Sequence, residues 1–196
     1  MTFVKKDIIL AGVGGQGILS IATVIGEAAL KEGLYIKQAE VHGMSQRGGD
    51  VQSNLRISSK EIASDLIPKG CADLIISLEP MEALRYLPYL SKEGWIVTNT
   101  VPFINIPDYP GNERIMAALQ SVNNVIMADM DALAQEVGNS RGANLALLGA
   151  ASHLLGIEPS KFEEGIRRIF ARKGEEVVEL NIKAFRAGQR TAVRAF

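Results

Sequence analysis

The residues best placed to do chemistry come first in the chain. Asp7 to Ala11 form an apolar run that leads directly into Gly12-Val13-Gly14-Gly15-Gln16-Gly17, and a long segment with apolar residues at helical spacing follows. A strand, a glycine turn and a helix in this order make a cradle for an anion. Glycine lets the backbone approach a phosphate without a Cβ clash, and the helix start offers unpaired N–H groups and a partial positive charge. The spacing is G-x-G-x-x-G, and Glu40 follows about 20 residues after the last glycine, where a dinucleotide fold carries its ribose-binding acid. Two plainer readings stand beside this one. The turn can serve only close packing of helix on strand, and Glu40 can be a capping carboxylate.

A second polar cluster lies at 40–49, where Glu40, His42, Ser45, Gln46 and Arg47 are interspersed with Gly43, Gly48 and Gly49. Polar groups in a glycine-rich loop after a strand suit a site at a strand end. Arg47 can make a forked contact with a carboxylate or phosphate, and His42 can move a proton near neutrality. The same loop could instead dock on a larger partner. His153 lies in an apolar stretch and reads as a hydrogen-bonded core histidine. Cys71 reads as a small, half-buried hydrophobe.

Composition narrows the field. The chain has 196 residues, enough for one domain spanning 1–196 with a single core. With 47% hydrophobic and 22% charged residues it has the profile of a globular protein. A net charge of −1 gives no field that favours nucleic acid or an anionic membrane. One cysteine can form neither an internal disulfide nor the ligand set of an iron–sulfur cluster, and no metal site is expected. The first residues lack a signal-peptide core and no apolar run reaches spanning length, so the expectation is a cytoplasmic protein.

The elements that must position these residues alternate between strand and helix. A helix is expected from about Gly15 to Glu32, with Ile18, Ala22, Ile25 and Ala29 on one face and Gly33 as its stop. Strands are expected at Tyr35 to Ala39, Val51 to Ile57, Asp73 to Leu78, Trp95 to Thr98 and Val125 to Met127. A helix should run from Pro80 to near Leu87, and Val101 to Gly111, with three prolines, should be irregular. Asp129 or Asp131 should cap the helix that follows. Leu145 to Leu155 is apolar nearly all round and should be a buried helix. Ser160 and Glu163 have capping-box spacing, ahead of an apolar face of Phe162, Ile166, Ile169 and Phe170. A last helix from about Glu175 should bury Val178, Ile182 and Phe185, with Lys183, Arg186, Arg190 and Arg194 as a solvated basic stripe. The whole reads as a three-layer α/β sandwich, its central sheet mostly parallel or mixed, with a helical C-terminal part.

Three motifs together resemble one family. They are G-V-G-G-Q-G at 12–17, E-V-H-G-M-S-Q-R-G-G at 40–49 and L-E-P-M-E-A-L-R-Y-L at 78–87, and G-N-S-R-G-A-N at 138–144 fits the same pattern. The chain resembles the gamma-type subunit or domain of 2-oxoacid:ferredoxin oxidoreductases, in particular the small (beta) subunits of the indolepyruvate branch. At position 50 it has Asp where that pattern leads one to expect a small or hydroxyl residue.

The resemblance implies a subunit, inactive alone, of an enzyme that oxidatively decarboxylates an aryl 2-oxoacid such as indolepyruvate to an acyl-CoA. It implies coenzyme A as the co-substrate held here, through Gly12, Gly14, Gly15, Gln16, Gly17, Ser45, Gln46 and Arg47, with His42 and Arg47 assisting. It places thiamine diphosphate, magnesium and iron–sulfur clusters on a large partner subunit, through which electrons reach ferredoxin. A contact of the C-terminal basic stripe with phosphates or an acidic partner is a further expectation. The alternatives left open are an NAD(P)-binding Rossmann oxidoreductase and a scaffold subunit that binds no ligand.

Overall fold

The computed structural model describes residues 4–42, 49–104 and 106–192. Strand β1 (Lys5–Val13) is the hub. Its apolar run is continuous because both faces are covered, with Ile8 and Leu10 in one core and Ile9 and Ala11 in the other. The first connection is helix α1 (Ile18–Lys31), followed by β2 (Tyr35–His42), β3 (Asp50–Ser58) and β4 (Ala72–Ser77). After α2 (Pro80–Arg85) come β5 (Leu90–Asn99), α3 (Asn112–Gln120), β6 (Val125–Ala128) and α4 (Met130–Glu136). The chain ends in α5 (Ala143–Ala151), α6 (Pro159–Phe170) and α7 (Glu175–Ala192).

The sheet has six strands in the order β2-β3-β1-β4-β5-β6. β1, β4, β5 and β6 are mutually parallel, while β3 runs antiparallel to both β1 and β2. One face is covered by α1 and α4 to α7, whose Ile21, Ile25, Met130, Leu147, Phe162 and Phe185 share a core. The other is covered by α2 and α3 through Ala83, Tyr86, Ile115 and Leu119. This is the expected three-layer sandwich with a mixed sheet.

α5 is buried from Asn144 to Ala151, as its all-round apolar sequence predicts. It crosses α7 at glycine contacts. A Cβ on Gly149 would lie 1.9 Å from the Phe185 carbonyl oxygen, and one on Gly188 would lie 1.8 Å from that of Ala146.

Several expectations are corrected. α1 starts at Ile18 rather than near Gly15, because Gly15 and Gly17 have φ of 104° and 84°, outside the helical region. Residues 40–42 and 50 belong to strands β2 and β3, so the polar loop is shorter than its composition suggests. α3 was not expected; its only buried residues, Ile115 and Leu119, form too short a stripe to stand out after the proline-rich loop. The capping box at Ser160 and Glu163 does not form. Pro159 takes the first turn of α6, and Glu163 accepts a forked pair of 2.7 Å hydrogen bonds from Arg186 on α7.

His153 and Cys71 are both exposed, because each sits at an element boundary: a 3-10 turn after α5 and the residue before β4. The cap of α4 is Asp129, whose carboxylate accepts the Ala132 N–H at 2.8 Å. Lys183, Arg186 and Arg190 are exposed along α7 as expected, and Arg194 lies outside the described residues. No helix among the described residues is long and apolar enough to cross a membrane.

Candidate functional site

The glycines at 12–17 have separate roles. Gly12 is still in β1, and a Cβ there would lie 2.9 Å from both Gln16 Oε1 and Ile18 Cγ1, so it permits the turn to fold back on the strand. The Gly14 N–H donates to the Gly49 carbonyl at 2.8 Å, which ties the residue before β3 to the turn. Gly15 has φ of 104° and faces open space. Gly17, with φ of 84°, caps α1, and a Cβ there would lie 2.8 Å from Asn144 Nδ2. Gln16 is a brace: its Oε1 accepts the Val13 N–H at 2.7 Å and its Nε2 donates to the Leu78 carbonyl at 3.3 Å. Val13, Gly14, Gly15, Ile18, Leu19 and Val51 line a mainly apolar cleft of about 330 Å³.

A second wall comes from a distant part of the chain. Asn144, in the first turn of α5, donates from Nδ2 to the Gly17 carbonyl at 3.3 Å, and its Oδ1 accepts the Leu145 N–H at 2.9 Å. At the end of β5, Asn99 Oδ1 accepts the Met130 N–H at 3.0 Å while its Nδ2 donates to Asp131 at 2.8 Å. Between these walls is a cleft of about 440 Å³ lined by Gly15, Gln16, Leu78, Asn99, Asp131 and Arg141, among others. Arg141 is exposed and has no ion-pair partner among the described residues. The start of α5 borders this cleft at Ala143 and Asn144, and the start of α1 lines the apolar one at Gly17 and Ile18. Each helix start carries a partial positive charge that favours an anion.

The 78–87 motif frames the same end of the sheet. Glu79 is fully buried, and its carboxylate accepts the Glu82 N–H at 2.8 Å, the Phe103 N–H at 3.4 Å and the Tyr109 hydroxyl. It thereby caps α2 and straps the proline-rich loop to it. Burial and the Glu79 contact push the Tyr109 hydroxyl pKa well above its usual value. Glu82 is held by Arg85 at 2.7 Å. Asp50 pairs in register with Val13 and acts electrostatically on this helix. Burial, then the Asp50 and Glu82 charges, raise the Tyr86 hydroxyl pKa to about 12.

The other expected residues fare differently. Ser45, Gln46 and Arg47 lie outside the described residues, and His42 is described only as the backbone end of β2. Glu40 is an exposed strand residue that accepts a hydrogen bond from Gln38. β3 intervenes between its strand and β1, unlike the adjacent first and second strands of a dinucleotide fold. Asn99, Glu79, Arg141 and Asn144 were not singled out individually. The signal for the last two was present in G-N-S-R-G-A-N, a glycine-flanked arginine ahead of an apolar helix.

Clefts at the carboxyl ends of parallel strands are where open α/β domains hold ligands, and this chain is of that class. More particularly, it belongs to the pyruvate ferredoxin/flavodoxin oxidoreductase family, whose model matches residues 7–191.

The indolepyruvate oxidoreductase subunit IorB of Pyrococcus horikoshii is 38% identical, with 96% of each chain covered. Its namesake in Methanothermobacter thermautotrophicus is 35% identical, covering 93% of this chain and 95% of that one. The gamma subunit of a keto/oxoacid ferredoxin oxidoreductase from Geobacter sulfurreducens superposes with a TM-score of 0.68 at 26% identity, covering 96% of this chain and 99% of that one. The fold also matches a 2-oxoglutarate:ferredoxin oxidoreductase from Magnetococcus marinus, solved with 2-oxoglutarate, coenzyme A and succinyl-CoA bound. There the TM-score is 0.76 at 23% identity, and this chain, 98% covered, spans 32% of the longer one.

Proposed function

We propose that this chain is the thiamine-free and cluster-free subunit of an indolepyruvate-type 2-oxoacid:ferredoxin oxidoreductase, and that it holds coenzyme A for the oxidative decarboxylation of an aryl 2-oxoacid. The IorB relatives, alike over nearly their whole length, support the subunit and the branch. Coenzyme A is supported by the fold match to an oxidoreductase solved with that ligand.

The observation that carries the ligand reading is Arg141. An arginine with no ion-pair partner among the described residues stands beside the start of α5 and the open backbone of Gly15, a setting suited to a diphosphate. Thiamine diphosphate, magnesium and iron–sulfur clusters would supply the carbanion and electron chemistry from the partner chain. This chain's residues would bind and orient. Gly14 and Gly15 admit the ligand to the backbone, Gln16 and Asn144 keep the turn rigid, and Gly12 and Gly17 allow that turn to close. Ser45, Gln46 and Arg47, with His42, would serve the ligand or the partner.

The test is calorimetric titration of coenzyme A into the assembled enzyme. Arg141→Gln should weaken binding by about one to two orders of magnitude, the value of a charge-assisted contact. Unchanged affinity in that variant, or heat from NAD(P)H but none from coenzyme A, would overturn the assignment.

A further inference from the structure

Three clefts share walls around the glycine turn, and their chemistries form a sequence. The first, about 330 Å³, is the mainly apolar slot of Val13, Ile18, Leu19 and Val51. It shares Gly15 with the second, about 440 Å³, which has the start of α5 and Arg141. The second shares Ser140, Arg141 and Asn144 with a third, also about 440 Å³, between the start of α5 and the end of α6.

The third cleft carries Lys173, with Phe170, Asn139 and Asn181 on its walls, and no carboxylate lines it among the described residues. The Lys173 ammonium stands 5.3 Å from the centre of the Phe170 ring, a cation–π contact, and has no ion-pair partner among the described residues. Asn139 Nδ2 donates to Asn181 Oδ1 at 3.0 Å, which leaves the Asn139 oxygen and the Asn181 amide hydrogens for a polar guest. The second cleft does contain one acid, Asp131, but its carboxylate is bound by the Asn99 amide at 2.8 Å.

We propose that the third cleft receives the 3′-phosphorylated ribose of coenzyme A, and that Lys173 makes the chain select coenzyme A over dephospho-coenzyme A. The proposal rests on the coenzyme A reading above. Coenzyme A is a thiol-ended arm with apolar stretches, then a diphosphate, then an adenosine bearing a 3′-phosphate. An apolar slot, a site with one helix N-terminus and one arginine, and a pocket with a second cation follow in that order. Arg141, on the wall shared by the second and third clefts, serves the diphosphate. Lys173, which lines the third cleft and not the second, meets only the group that the dephospho form lacks.

The experiment measures initial rates of the assembled enzyme against coenzyme A and against dephospho-coenzyme A. Adenosine 3′,5′-bisphosphate is added as a competing probe. The wild type should show a KM for the dephospho form at least about tenfold above that for coenzyme A, as expected for loss of one charge-assisted contact. In Lys173→Gln that ratio should fall towards one through a rise in the KM for coenzyme A, with kcat little changed, and inhibition by the bisphosphate should weaken in parallel. Lys173→Arg should restore the ratio. A wild type that treats both thiols alike, or a Lys173→Gln enzyme that keeps the full ratio, overturns this proposal while leaving coenzyme A binding intact. Failure of both thiols to bind or react overturns the coenzyme A reading itself, and this inference with it.

Discussion

Gly12 and Gly15 are three residues apart and indistinguishable as letters, yet their neighbours assign them opposite roles. Gly12 is small because Gln16 and Ile18 lean on it, whereas Gly15 adopts φ of 104° with nothing within 4 Å of where a Cβ would stand. Gly15→Val should therefore remain foldable, with the strain of positive φ costing about 1–2 kcal/mol, or roughly 2–8 °C in melting temperature. Its larger effect should be on coenzyme A, because the side chain would stand in the cleft. A raised KM for coenzyme A is expected, and a stable Gly15→Val enzyme with an unchanged KM would reject backbone contact at this position.

Asp7 is a residue of the opposite end of β1, and its role is structural. Burial raises its carboxyl pKa, but hydrogen bonds and charges from Arg56 and Lys5 outweigh this and hold it below its ordinary value. A carboxyl with a depressed folded-state pKa adds stability above its unfolded pKa and loses it as pH falls through the folded one. Asp7→Asn leaves the mostly buried Arg56 without its carboxylate and should cost about 3 kcal/mol at pH 7. Denaturant titrations at pH 7 and pH 3 should show the gap between wild type and variant narrowing in acid. An equal gap at both would show that Asp7 acts through packing alone.

At the scale of elements, α5 and α7 set the backbone of the helical layer. Since a methyl on Gly188 would overlap the Ala146 carbonyl, Gly188→Ala should separate the helices at about 3 kcal/mol or more, roughly 6–12 °C in melting temperature. Gly111→Ala, where a Cβ meets open space, is the control and should change little. The burial of α5 was legible because an apolar circumference leaves no face for water. α3 was not, since a stripe of two residues has too little period to detect. The capping box at Ser160 failed for a local reason, because Pro159 was the better first-turn residue and Glu163 found a cation on α7.

As a whole, the molecule supplies a cleft and a lone, exposed Cys71, which cannot by itself hold an iron–sulfur cluster. The purified chain should be colourless and should not reduce ferredoxin with any 2-oxoacid, and activity should appear when a large partner is added. Cluster absorbance or turnover by the chain alone would contradict the subunit role. The exposed apolar residues Val101, Phe103, Ile104 and Ile106 lie in the loop that Glu79 straps down, at the same end of the sheet as the cleft.

The sequence by itself determined what depends on near neighbours: the strand–glycine–helix order at 7–32, the alternation of strands and helices, and the apolar burial of α5. Such features follow from period, turn chemistry and capping, all set within a few residues. Only the tertiary structure decided that β3 would enter antiparallel between β1 and β2, because alternating polarity specifies a strand's faces and not its neighbours. Only it joined Asn144 to Gly17 across 127 residues and set Arg141 beside the glycine turn, since the order of strands in a sheet fixes which loops share an end. The glycine turn was written locally; the arginine beside it came from packing at long range.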